Sequence, residues 1–430
     1  MPINLQATQY QGVNQDSFPR RRIVIGLDFG TAYTKCVVHI TGERRQAIQF
    51  NESKEGISRY LVRGLVSIDE KRHFHLGGKY ARSFDDLKSA LLNKSMQGQK
   101  LACAMGLMSA FLALVLRHVR EWVLTKQSDV LSGHYIEWDL NIGMPTDSYT
   151  DRILMDRIKV AAAAAWDNSF ASEVTIRSVS DSLEKAQIKL RKKSLPDYIS
   201  IVPEFVAQIT SYVKSSSRQN DLHAVLDIGA GTVDFAVFNV HEDDGDDKYP
   251  IYSKSVKPYG TFVLMRECLG AGEIEQRLMF EIENEFDYSQ YYRPMSLHNK
   301  AMSQIKSGFN RAMTCYPQSP RWRSGLPLFL CGGGKNLDFY KELVTCVVDC
   351  REFIPGMSNK AITRSAFPTL DGLNAPTLSS KDHDRLSVAY GLSRDIDDFG
   401  LLIKGDNWGE VQSYSRTSSL SDRFVDKDQV

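Results

Sequence analysis

Patterned cysteine, excess charge and long uncharged runs are all scarce in this 430-residue chain. The seven cysteines contain no Cys-x-x-Cys, and an odd, unpatterned set fits reduced thiols in a cytoplasmic protein. Cys331, Cys346 and Cys350 read as small buried hydrophobes on that basis. Net charge is +1, which argues against a general binder of nucleic acid or acidic surfaces. The longest uncharged run, "LACAMGLMSAFLALVL" from Leu101 to Leu116, falls short of the roughly 20 residues that span a bilayer. Lys100 and Arg117 flank it, so a buried core helix over 101–126 is expected, with Gly106 and the alanines allowing close helix packing. No membrane association follows. No signal peptide is expected either: Arg20, Arg21 and Arg22 lead into "IVIGLDFG", too short for an apolar core and interrupted by an acid.

What is present is an ordinary globular composition, 42% apolar and 24% charged, with length for two or three domains. Residues 1–21 read as a disordered tail. Strands are expected at 22–28, 33–40 and 135–145, and helices at 148–166 and 203–216. Ser148 or Thr150 would cap the first of these helices, and Pro203 would sit in the first turn of the second. A second strand–turn–strand unit fills 223–240, closed by "HEDDGDDK", which reads as a solvated turn rather than a metal loop. Charge-rich helical segments follow over 272–313. The strand "GLPLFLCGGG" then meets a helix at "NLDFYKELVTCVV", and 384–394 makes a short helix. From about 405 the chain is polar and Ser-rich.

Two segments repeat one another. "VIGLDFGTAYTKCVVHI" and "AVLDIGAGTVDFAVFNV" each carry an apolar strand, an aspartate, one apolar residue, a glycine, a small-residue turn and a second apolar strand. Asp28 matches Asp227, and Gly30 matches Gly229. Glycines let successive backbone N–H groups converge on one anion, and the hydroxyls of Thr31 and Thr232 can add hydrogen bonds. The aspartates repel a phosphate unless Mg²⁺ lies between, an ion that keeps its waters and needs few carboxylates. Two such hairpins holding one polyphosphate would bring Asp28, Asp227 and Asp234 towards a hydrated metal, with Asp28 facing the ion rather than a partner side chain. Other phosphate motifs fit less well. "DIGAGTVD" is followed by a strand and not a helix, unlike a dinucleotide fingerprint. "CGGGKN" has Asn336 where a Walker loop needs Ser or Thr.

"DFGTAYTK" resembles the first phosphate motif of the actin and heat-shock protein 70 ATPase superfamily, "DIGAGTVDFAVF" the second, and "LFLCGGGKNL" the adenosine motif. "VPEFVAQITSYV" and "DRLSVAYGLS" resemble its two connecting helices, "LGAGEIEQRL" the glycine turn after the second hairpin, and "HLGGKYARSFDDLKSALL" an early segment of the chaperones. The matches fall in the family's order over about 22–395 and are closest to the chaperones' nucleotide-binding domain. The resemblance implies an α/β, two-lobed actin-like ATPase fold, of duplicated ribonuclease-H-like mixed sheets flanked by helices, with a nucleotide cleft between the lobes. Lobe I would be 22–216, with an inserted subdomain at about 45–130. Lobe II would be 217–395, with a helical subdomain at about 260–325, and 396–430 a flexible tail.

Site roles follow from the same resemblance. Gly30, Thr31 and Ala32 would touch the β- and γ-phosphates of ATP or ADP from one side, and Gly229, Ala230, Gly231 and Thr232 from the other. Asp28 and Asp227 would hold Mg²⁺ through water, with Asp234 nearby, and Glu204 would orient the attacking water. Gly332, Gly333 and Gly334 would line the adenosine, with Lys306 on the adenine-side helix. Lys35 and Lys88 compete for the phosphate-charge role; actin places its lysine at the first position and the chaperones at the second, and the flanking segment favours Lys88.

Departures are visible. Ala32 replaces a hydroxyl, and Ser303, Ser307 and Asn310 stand where charged or hydroxyl groups flank the base in the chaperones. Residues 396–430 are too few for a peptide-binding domain and lid. "FGLLIKGD" is either a counterpart of the chaperones' linker or an apolar segment docking on its own domain. The implied function is a Mg-dependent ATPase acting as a nucleotide-controlled switch or chaperone-like module with a protein partner or client. The rivals are a filament-forming actin-like protein, which self-assembles, and a nucleotide-binding pseudoenzyme. A sugar kinase would need a base and a sugar pocket that the sequence does not display.

Overall fold

The computed structural model describes residues 18–80, 82–145, 151–243, 245–270, 286–290, 294–349 and 362–404. It is a mixed α/β protein with several sheets. The described residues form two compact units. One holds those up to Ser211 together with Thr369–Ile396. The other holds the described parts of Tyr212–Glu273, Phe286–Pro368 and Asp397–Val430.

The first unit is built on β1 (Arg20–Phe29), β2 (Tyr33–Ile40), β3 (Arg45–Ala47), β4 (Tyr135–Met144) and β5 (Ile199–Pro203), in the spatial order β3-β2-β1-β4-β5. The pairs β1–β2 and β2–β3 are antiparallel; β1–β4 and β4–β5 are parallel. β1 is buried continuously from Ile23 to Phe29, as a strand covered on both faces must be. Leu373–Asn374 adds a short parallel strand outside β3. A separate three-stranded sheet joins Val66–Ile68 to Phe74–Leu76 and Arg82–Phe84.

Helices α1 (Leu87–Leu92), α2 (Gly98–Lys126), α3 (Arg152–Ser169), α4 (Ile176–Arg191) and α5 (Glu204–Val213) follow along the chain. α2 has the length and composition to cross a membrane, but most of its apolar window is buried within the unit. Its Arg120 is fully buried, stacked 3.4 Å from the Phe170 ring, and desolvation lowers its pKa to about 9.

The second unit is built on β6 (Asp221–Ile228), β7 (Val233–Asp243), β8 (Asp246–Lys257), β9 (Leu326–Cys331) and β10 (Ile362–Ser365), in the order β8-β7-β6-β9-β10. Here β6–β7 and β7–β8 are antiparallel, and β6–β9 and β9–β10 parallel. Strand order and direction therefore repeat those of the first sheet. α6 (Thr261–Leu269), α7 (Met295–Cys315) and α8 (Asp338–Asp349) belong to this unit. α9 (Ser387–Leu392) returns to the first unit, where the Asn141 amide donates to the carbonyls of Leu392 at 2.8 Å and Arg394 at 2.9 Å.

Several expectations change. The α3 cap is Asp151, whose carboxylate accepts from the N–H groups of Ile153 and Leu154; Ser148 and Thr150 lie outside the described residues. Pro203 ends β5 and precedes α5, which stops at Val213. Gly106 makes no close approach, since a Cβ there would meet no atom within 4 Å. "HEDDGDDK" is a turn as expected, with Glu242 and Gly245 exposed, but it is not solvated throughout: β7 and β8 pair through it, Glu242 opposite Asp247. Asp247 is buried, and Lys214 and Arg218 bind its carboxylate at 2.9 and 2.7 Å, which offsets its desolvation. Leu401–Lys404 pairs in parallel with β8, so part of "FGLLIKGD" docks on its own unit. The 1–17, 271–285 and 405–430 stretches, with most of the "LGAGEIEQRL" turn and the Ser-rich tail, lie outside the described residues, as does Cys350.

His223 on β6 is fully buried. Its Nδ1–H donates to the Asp221 carbonyl at 2.8 Å, so its Nε2 accepts from the Tyr212 hydroxyl at 2.9 Å. Its ring stacks on Phe238 and Phe329. Burial lowers its pKa from 6.5 to about 4, which favours the neutral ring in the folded state. Its contribution is complete above the unfolded pKa and is lost as pH falls towards about 4. Urea titrations should show wild-type stability dropping over that window by roughly 3 kcal/mol more than His223→Phe does.

Candidate functional site

Each unit carries one hairpin of the repeated kind, and their turns have the same length. β1 and β2 close at Phe29 opposite Thr34, and β6 and β7 at Ile228 opposite Val233. Gly30 to Tyr33 thus corresponds to Gly229 to Thr232, so Thr31 matches Ala230 and not Thr232. The acid one step inside the closing pair is Asp28 in one hairpin and Asp227 in the other. Opposite Asp28 stands Lys35; opposite Asp227 stands Asp234.

That single difference sets the electrostatics of the two hairpins. Lys35 Nζ reaches Asp28 Oδ2 at 2.5 Å, and Asp28 is only 5% exposed. Asp28 therefore has a partner side chain, contrary to the expectation that it faces only a metal: direct cross-strand register puts the two side chains on one face. In the second hairpin the directly opposed residues are two carboxylates, an arrangement that disfavours itself unless a cation or donors compensate it. This donor set suits a hydrated divalent ion. Among the described residues no cluster of three or more His, Cys, Asp or Glu has metal-binding geometry, so any such ion would draw most of its ligands from water and substrate.

The second turn is locked from behind. The N–H groups of Gly260, Thr261 and Phe262, at the start of α6, donate to the carbonyls of Gly231, Gly229 and Ala230 at 3.3, 3.0 and 2.9 Å. In a planar trans peptide the carbonyl and the following N–H point in opposite directions. Holding these three carbonyls on α6 turns the N–H groups of Ala230, Gly231 and Thr232 the other way, as a row of donors of the kind that binds anions. Sequence reading missed α6 as the scaffold; the signal available was Gly260, where a Cβ would lie 2.4 Å from the Ala230 carbonyl oxygen.

Gly332 follows β9 beside Asp227. Its φ of +86° is left-handed, and a Cβ there would lie 2.4 Å from Asp227 Oδ1 and 2.3 Å from the Ile228 carbonyl oxygen. Gly333 is exposed, while Gly334 is buried against Ile228 and Thr261. Within this unit the glycine run and the second hairpin are thus brought together. Lys306 lies on the exposed face of α7 with Ser303, Ser307 and Asn310.

In the first unit Gly30 is confined by the turn itself, since a Cβ there would lie 2.4 Å from the Tyr33 carbonyl oxygen. Thr31 is half-buried and Ala32 buried. Lys88, on α1, is 9% exposed and its Nζ lies 2.5 Å from Oε1 of Glu204, the first residue of α5. The two lysines are therefore each held by an acid: Lys35 by the candidate metal carboxylate and Lys88 by the candidate water-orienting one.

No protein-family model matches the chain.

Replacing Lys35 by Met leaves the buried Asp28 carboxylate without its cation. Urea denaturation should show a loss of roughly 3 kcal/mol, and Asp28→Asn/Lys35→Met should recover most of it.

Proposed function

We propose that the chain is a Mg-dependent, ATP-binding and ATP-hydrolysing cytoplasmic protein of the actin-like superfamily, nearest to the nucleotide-binding domain of heat-shock protein 70 chaperones. Its two units are the duplicated halves of that fold, and nucleotide state controls a surface for a protein partner or client. The observation that carries the reading is the second turn, whose carbonyls are tied to α6 and whose N–H groups are consequently aimed away from it. The repeated strand order and the equal turn lengths support it.

On this reading the turn N–H groups of Ala230, Gly231 and Thr232, with Gly229 forming the corner beside them, bind the phosphates together with Gly30, Thr31 and Ala32. Asp28 and Asp227 hold the hydrated Mg²⁺ with Asp234 nearby, and the ion neutralises charge on the phosphates. Glu204 orients the attacking water. Lys88, already paired with it, places positive charge at the transferred phosphoryl group and holds the Glu204 carboxylate in one position. Gly332, Gly333 and Gly334 receive the adenosine, and Lys306 contributes on the adenine side.

Calorimetry with ATP and Mg²⁺ should show saturable binding, and no heat at millimolar ATP would reject the reading. Asp227→Ala should lower turnover on the order of 100-fold, and Lys35→Ala much less; equal losses would move the phosphate-charge role to Lys35. ATP-dependent pelleting would place the chain in the filament-forming branch, and binding without turnover would make it a pseudoenzyme.

A further inference from the structure

We propose that Gly143 is a positioning residue that sets where the Glu204 carboxylate lies, by having no side chain. The proposal rests on the hydrolytic reading above and names a determinant of the same site. β4 and β5 run side by side, Gly143 opposite Val202 and Met144 opposite Pro203. The chain leaves β5 at Pro203 and enters α5 at Glu204, so the Glu204 side chain falls back across the end of β4. A Cβ on Gly143 would lie 2.9 Å from Glu204 Cγ, 3.4 Å from Glu204 Oε1 and 3.3 Å from Leu392 Cδ1. Carbon atoms prefer separations of about 3.5–4.0 Å, so the first of these contacts forces a movement.

Two restraints meet on the Glu204 side chain. The bare Cα of Gly143 is its floor. Leu392, fully buried on α9, borders the same space over Gly143. Lys88 tethers Oε1. The crowded atom is Cγ, close to the root of the side chain, so Glu204 cannot yield without carrying its carboxylate along. Gly143 is not among the glycines with a left-handed φ, so its backbone tolerates alanine. Glycine inside a strand weakens it and marks a close approach, here that of Glu204.

Gly143→Ala in the full chain should lower kcat roughly 10- to 100-fold. KM and the Kd for ATP with Mg²⁺ should stay within about twofold, because phosphate binding is carried elsewhere. The melting temperature should change little, because the strand preference for alanine over glycine opposes the cost of displacing the Glu204 side chain and the tight contact with Leu392. If Gly143 acts through Glu204, the substitution should change turnover by less than about twofold in a Glu204→Gln background. Equal loss in both backgrounds, or an unchanged kcat in Gly143→Ala, would overturn the positioning role. A wild-type protein that binds ATP and never turns it over would instead reject the hydrolytic reading, and the proposal with it.

Discussion

A planar peptide cannot point its carbonyl and the next N–H in the same direction. At Gly229 to Gly231 that rule converts a structural contact into chemistry. The start of α6 consumes three carbonyls, and three N–H groups are left aimed outward. Nothing about the turn needs to be flexible for this; the contact with α6 fixes the three donors in one row. Glycine matters here for clearance at Gly260 and at Gly332, where another backbone or the Asp227 carboxylate occupies the space of a side chain.

The duplicated sheets show how one scaffold is given two electrical characters. Strand order and turn length are the same in both. Exchanging Lys35 for Asp234 at the equivalent cross-strand position gives one hairpin an acid opposite a base and the other an acid opposite an acid. A parallel economy operates at Glu204, where Lys88 balances the carboxylate and shape restricts it.

Much of this was legible in the sequence, where the information is local. Both hairpins follow from runs of apolar residues broken by Asp-x-Gly, and α2 from its length and apolarity. Errors arose where a partner distant in sequence decides the outcome. The acidic stretch looks like a solvated turn until Lys214 and Arg218 are found beside Asp247. Asp151 displaced Ser148 and Thr150 as the α3 cap, a shift of one to three residues that periodicity cannot resolve. The lysine held by Asp28 was visible in the motif, but only the register shows that it stands directly opposite. Gly143 carries no sequence signal of its own, because its role depends on the side chain that lies over it.

The order in which the chain builds its units has a consequence for synthesis on the ribosome. All five main strands of the first unit precede residue 204, yet its core is not finished there. Val37, Ala47 and Tyr60 pack against Leu386, Ala389 and Tyr390, which emerge only after most of the second unit has been made. A nascent first unit therefore carries an uncovered apolar face for as long as it takes to translate the intervening residues, seconds to tens of seconds at cellular rates.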